Sequence, residues 1–409
     1  MFKFDQLLSI LNSSIGLFSA FVISVFTYVN YGSDLSIFFL GYYSIFALSI
    51  AVYMNSHYSI ISNKSVYFNF KDLIKIGGGF LFLLSSIISS LLVTIYLIFI
   101  PDYVDSFDLI YLITIFFSCI FYTICSFLHS RIYISYDITY YNKVSFISKS
   151  LAMIIIIILS FNLDFSSFLM SYVLVNLAFS IFVLVFSIFK NKKLQQKINV
   201  QKYDKYFSFK LNLITFSYFT VNKLILVFLP NIDFNGDKLL VAYATMALSS
   251  IAGILASSRS YIVPELTESW DARQKVFFEK RDLIISQFKF IGIIYIFAVS
   301  ILLFLMYILS QFSLIELNKL TLNFIFLSIL IYYCELNSSS ATIMLNASGD
   351  VVYWRWSIFT GFLYIATLYI VSLSYNITPF IMIMIQFASM ALYQYWKWPI
   401  LLLSYSKKL

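Results

Sequence analysis

Two charged side chains stand well inside apolar runs of this 409-residue sequence, and any buried chemistry has to start from them. Glu335 lies about 14 residues into the run 321–345, too deep for a short carboxylate side chain to reach either end of a membrane-crossing helix. Ser338, Ser339, Thr342 and Asn346 follow it at helical spacing and Tyr332 precedes it by three residues, so one face of that helix carries a polar stripe. A charge at a helix centre costs at least about 2.5–3.5 kcal/mol on insertion scales. The stripe therefore reads in two ways: as the wall of an aqueous cavity in which Glu335 relays a proton, or as a buried glutamate hydrogen-bonded between helices. Lys223 stands six residues before Leu229 at the end of the run 211–229, about 9 Å along a helix axis. Asn212, Thr220 and Asn222 share or flank its face. Lys223 reads as a cation facing an anionic substrate in a lumen, as a lysine snorkelling to the surface, or as half of an ion pair.

Catalysis has little to work with. His57 and His129 are about 70 residues apart with no acid at metal-site or acid–base spacing, and no phosphate-cradling Gly-x-x-x-x-Gly-Lys-Ser/Thr loop occurs. Cys119, Cys125 and Cys334 all fall in apolar runs, without paired or metal-ligand spacing. No catalytic residue, metal site or cofactor is expected beyond coupling to a proton or sodium gradient. The charge of +8 does not point to nucleic acid, because the basic residues are dispersed among the apolar runs.

The elements that must position these residues follow from composition. With 61% hydrophobic and 11% charged residues and a mean hydropathy of +0.89, the chain could not cover its apolar surface in water. Runs of about 20 apolar residues, each enough to cross a hydrocarbon core of about 30 Å, predict an all-α polytopic membrane protein. Twelve spans are expected, over 7–29, 36–61, 76–100, 109–130, 146–161, 166–189, 211–229, 239–260, 283–309, 321–345, 356–373 and 380–404. With a cytoplasmic N-terminus, 24 of the 27 Lys and Arg fall in inner segments, as the positive-inside rule requires, and both termini are then cytoplasmic. All five tryptophans lie in or beside those segments, at the depth of lipid headgroups. The outer connections are too short to build an external domain. The small residues of the first span, Ser9, Ser13, Gly16, Ala20 and Thr27, suggest close helix contact, with a sliding or gating surface as the alternative.

The basic stretch 191–210 divides the chain into six-span bundles over 1–190 and 211–409. Ser135-Tyr136-Asp137-Ile138-Thr139-Tyr140-Tyr141 and Ser348-Gly349-Asp350-Val351-Val352-Tyr353-Trp354 follow one pattern at equivalent places in the two halves, which points to a duplication about an axis along the membrane normal.

Val221-Asn222-Lys223-Leu224-Ile225-Leu226, then Val241-Ala242-Tyr243-Ala244, then Val263-Pro264, resemble a pattern of the O-antigen type of lipid-linked oligosaccharide flippases, in the multidrug/oligosaccharidyl-lipid/polysaccharide exporter superfamily. Asn222 replaces an Asp of that pattern and Ala242 a Gly. The resemblance implies alternating-access translocation of an isoprenyl-pyrophosphate-linked sugar repeat across a bacterial inner membrane, for O-antigen or capsule synthesis. The implied partners are the lipid-linked oligosaccharide, membrane lipids and other polysaccharide-assembly proteins. Lys223, with Asn222 and Asn212, would then meet the pyrophosphate, and Glu335 would couple the cycle to protonation. The alternative in the same superfamily is a cation-coupled drug or metabolite exporter, for which more acids would be expected in the first bundle. A glycan polymerase or acyltransferase is disfavoured by the short outer loops.

Overall fold

The computed structural model describes residues 4–62, 79–99, 109–135, 138–190, 207–257, 281–311, 317–345 and 353–405. Among them every regular element is helical: α1 (Phe4–Tyr31), α2 (Ser33–Ser62), α3 (Gly79–Phe99), α4 (Leu109–Ser135), α5 (Ile138–Ser160), α6 (Phe165–Lys190) and α7 (Phe207–Phe228). A 3-10 turn (Leu229–Asn231) follows, then α8 (Lys238–Ser257), α9 (Arg281–Gln311), α10 (Lys319–Leu345), α11 (Trp354–Ser372), α12 (Pro379–Ala391) and α13 (Gln394–Tyr405). Seven of these, α1 and α5 to α10, contain stretches long and apolar enough to cross a membrane. Shorter apolar stretches lie in α2, α3 and α4. The side chains agree: α9 exposes Ile293, Ile296, Phe297 and Phe304 by 61–67%, a stripe that water would not tolerate and lipid accepts.

The helices start where the sequence supplies caps. Asp164, Asp237, Asn318 and Thr378 each accept a backbone N–H three residues on, opening α6, α8, α10 and α12 at 2.8–3.3 Å. Gly32, at φ +92°, makes the one-residue turn between α1 and α2 in a conformation that other residues adopt at a cost. Asp164 also accepts the Ser166 hydroxyl. The Ser166 hydroxyl first, then the Ser167 side chain and backbone, hold its carboxyl down to about 2, below the usual carboxylate range. Its contribution is therefore fully present above the unfolded value near 4 and is lost as pH falls through about 2. Asp164→Ala should lower stability by about 1 kcal/mol at neutral pH, and the deficit should vanish in melts taken at the acid end.

The chain divides into two compact units, with the boundary between Phe216 and Ser217 inside α7. In the first, α5 packs between α1 and α6, α6 also lies against α4, and α4 against α3. Aromatic packing ties α2 to α6: Tyr172 is ringed by Phe39, Tyr42, Tyr43 and Phe46 with centroids 5.4–6.5 Å away. At the neighbouring end, Asn30 donates to Ser160 Oγ and Tyr31 to the Leu163 carbonyl, so two helix hairpins are pinned together at their tips.

In the second unit α10 is central, touching α8, α9, α12 and α13. Leu248, Ala252, Ile291, Tyr295, Tyr332 and Leu336 form an apolar cluster beside it. The run expected as one last span is broken: α12 ends at Ala391, Tyr393 N–H reaches back only to Met390, and α13 restarts at Gln394 ahead of an internal Pro399. Gly361 of α11 lies so close to α7 that an added Cβ would stand 3.2 Å from Ser217 Cα. Gly361→Ala should therefore cost about 1–3 kcal/mol. At Gly16 a Cβ would meet nothing within 4 Å, although Tyr43 of α2 donates to its carbonyl at 3.4 Å and Ala20 on the same face is fully buried. Gly16→Ala should be neutral or stabilising by up to about 1 kcal/mol, and thermal melts of the two variants check the contrast.

Candidate functional site

Glu335 sits midway along α10, 1% exposed, and neither carboxylate oxygen has a hydrogen bond of normal geometry. The polar groups that act on it come from four other places: Tyr218 and Lys223 on α7, Tyr295 on α9, Tyr332 one turn earlier on α10, and Tyr395 on α13. Tyr218 and Lys223, five residues apart on α7, flank Glu335 from different sides of that helix, and the break before Gln394 turns α13 so that Tyr395 comes into range. The Tyr395 hydroxyl is itself buried without a partner. An ionised carboxylate enclosed this way is costly, and a bound proton or cation would remove the cost.

Lys223 is half-buried and makes no ion pair with Glu335. Its Nζ donates to Ser249 Oγ on α8, and Ser249 in turn donates to the Met246 carbonyl at 3.1 Å. Lysine and glutamate thus feel each other electrostatically without closing a bridge. Asn222, fully buried, turns the other way: its Oδ1 accepts from Gln386 Nε2 at 2.7 Å, its carbonyl accepts the Tyr332 hydroxyl at 3.4 Å, and its Nδ2 has no partner. Adjacent positions on a helix point about 100° apart, so Asn222 and Lys223 serve different neighbours.

The polar stripe on α10 does not behave as one surface. Ser338 is buried and donates to the Gln394 carbonyl at 3.0 Å, while Thr342 donates back to the Ser339 carbonyl of its own helix at 2.9 Å. Ser339 is partly buried. The side chain of Asn212, and Asn346, Arg259 and both histidine side chains, lie outside the described residues.

Two features escaped the sequence reading. Gln394, buried at the helix break, accepts the Trp398 indole N–H and donates to Ser357 Oγ and Thr360 Oγ1 at 3.3 and 3.2 Å, binding α13 to α11. Gln386 and Gln394, lone amides in an otherwise apolar run, were the available signal. In the first unit, Lys149 lies at the middle of α5 rather than near its inner end, because the helix starts at Ile138 and not at 146. It stands about 16 Å from either end of α5 and donates to the Asn12 carbonyl at 3.0 Å. Asn12 bonds Asn142 and Ser145 at 3.1 and 3.0 Å, and Asn142 Nδ2 is unsatisfied. A helix start eight residues earlier than expected turns a lysine near a span end into a second membrane-depth cation.

Among the described residues no group of three or more His, Cys, Asp or Glu could hold a metal ion. No protein-family model matches the chain, and no curated protein matches it significantly. Solved structures do match over nearly the whole length. The MATE multidrug transporter DinF-BH aligns with a TM-score of 0.64 at 12% identity, covering 99% of this chain and 96% of the other. An inward-facing MATE family transporter of the MOP superfamily aligns at 0.56 and 11% identity, covering 97% and 96%. The eukaryotic MATE transporter AtDTX14 aligns at 0.52 and 13% identity, covering 98% and 96%. With its buried carboxylate and membrane-depth lysines, this chain is a multi-pass helical membrane protein with the fold of the MATE transporters of the MOP superfamily.

Proposed function

We propose that the protein is a cation-coupled exporter of amphipathic drugs or metabolites, working by alternating access in a bacterial cytoplasmic membrane with both termini on the cytoplasmic side. The observation that carries this reading is Glu335, an enclosed carboxylate without an ion pair or a hydrogen bond of normal geometry, approached by the Tyr218 hydroxyl and acted on by Lys223 and further tyrosines. A proton or sodium ion bound there neutralises the group, and its release re-creates the buried charge; a cycle can use that difference to bias two conformations. Support also comes from the fold, shared with structures described as multidrug transporters.

A second reading, translocation of a lipid-linked oligosaccharide for O-antigen or capsule assembly, is favoured by Lys223 and Lys149. Neither has a carboxylate ion-pair partner among the described residues, so both could meet an anionic pyrophosphate or acidic sugar. Its partners would be the lipid-linked oligosaccharide and other polysaccharide-assembly proteins. Everted vesicles from cells making or lacking the protein separate the two readings. Gradient-dependent uptake of a fluorescent organic cation supports the exporter. No uptake across a dye panel, with lipid-linked oligosaccharide accumulating on the inner leaflet of deletion cells, replaces it with the flippase.

A further inference from the structure

We propose that the start of α11 and the broken end of α12 and α13 form a binding site for the phosphate headgroup of an anionic phospholipid. Trp356 stacks on Tyr393 with centroids 3.9 Å apart and planes 14° from parallel. Tyr393 touches Trp396 at 5.7 Å and the buried Trp398 at 5.3 Å. Lys397 Nζ lies 5.7 Å from the Tyr393 ring and 5.9 Å from Trp396, and Arg355 stands over Trp354 at 5.4 Å. The platform is built rather than incidental. Trp398 is anchored through Gln394, Trp396 Nε1 donates to the Leu392 carbonyl at 3.2 Å, and the turn at Leu392 and Tyr393 is what brings Tyr393 against Trp356.

The charge on this platform is unbalanced. Neither Arg355 nor Lys397 has an acidic partner among the described residues, and ring contacts orient a cation without neutralising it. Trp356, 41% exposed, keeps an indole N–H with no acceptor among the described residues, and Trp396 is 47% exposed. Lys397, held over the Tyr393 and Trp396 rings, the Trp356 indole donor stacked on Tyr393, and Arg355 one residue before it on α11, beside exposed rings of the kind that sit at headgroup depth, complement a phosphodiester of the adjoining leaflet. Neutral phosphatidylcholine offers the same phosphate beside its own ammonium group, so a lipid with net negative charge is the occupant that the cations select.

The test uses the purified full chain with phosphatidylglycerol or phosphatidylcholine, read by native mass spectrometry for retained lipid and by Tm in nanodiscs of each composition. Phosphatidylglycerol should be retained preferentially and should raise Tm, and added salt should weaken its retention. Retention should fall about fivefold for each cation removed in R355Q and K397Q, and the exchange R355K/K397R should keep most of it, which separates lost charge from lost fold. Equal retention of the two lipids by the wild type, salt-insensitive retention, or unchanged phosphatidylglycerol retention in R355Q/K397Q would overturn the proposal.

Discussion

Glu335→Gln should leave the protein folded and at wild-type level in the membrane while reducing gradient-driven export at least about tenfold. The reason is geometric. Glu335 has no ion pair to lose, and an amide oxygen in its place can still accept from the nearby Tyr218 hydroxyl, so an isosteric neutral amide removes a buried charge without orphaning a partner. Lys223 keeps its bond to Ser249 in the variant. A structural ion pair makes the opposite forecast, since stripping one partner from a buried pair costs about 3–5 kcal/mol and would appear as lost protein. Export measured with and without an imposed gradient, beside protein level, distinguishes the two. Full gradient-driven export by Glu335→Gln would remove the carboxylate from the mechanism.

Lys223→Ala should divide the substrate classes. A half-buried ammonium repels a cationic substrate and attracts an anionic one, and the effect is stronger where water is scarce. Export of a cationic dye should be unchanged or faster in Lys223→Ala, whereas translocation of a pyrophosphate-linked substrate should fall about tenfold and be largely restored by Lys223→Arg. Because Lys223 and Glu335 interact across a gap, the double-mutant cycle for stability should give a coupling below about 1 kcal/mol. A coupling of several kcal/mol would mean that the two close a bridge in the working protein.

Much of this arrangement was legible in the residues. Apolar runs about 20 residues long predict membrane helices, and α1 to α11 fall within a few residues of the expected spans, apart from the start of α5. Glu335 and Lys223 stood out because a charge in such a run has few energetically tolerable explanations. What was not legible depends on rotation and on breaks. Asn222 and Lys223 looked like one polar face, but on a helix adjacent residues serve different neighbours, and Asn222 went to Gln386. Ser338 and Thr342 looked like cavity lining, yet hydroxyls in helices readily bond nearby carbonyls, as these do. Lys149 reads as an inner-end lysine in the first turn of the span 146–161, because Tyr140 to Val144 carry enough polarity to hide the two turns of helix before it. The interruption between α12 and α13 left only Pro399 as its trace, and Tyr395 reaches the neighbourhood of Glu335 because of that interruption.

Occupancy of Glu335 by a proton or sodium ion is proposed to drive export. It is tested most directly in proteoliposomes holding either the wild type or Glu335→Gln, with an inward proton or sodium gradient imposed in turn and export of a fluorescent amphipathic cation followed over time. The account predicts that one of the two gradients accelerates export by the wild type and that neither accelerates export by Glu335→Gln. Equal acceleration in both proteins would contradict it.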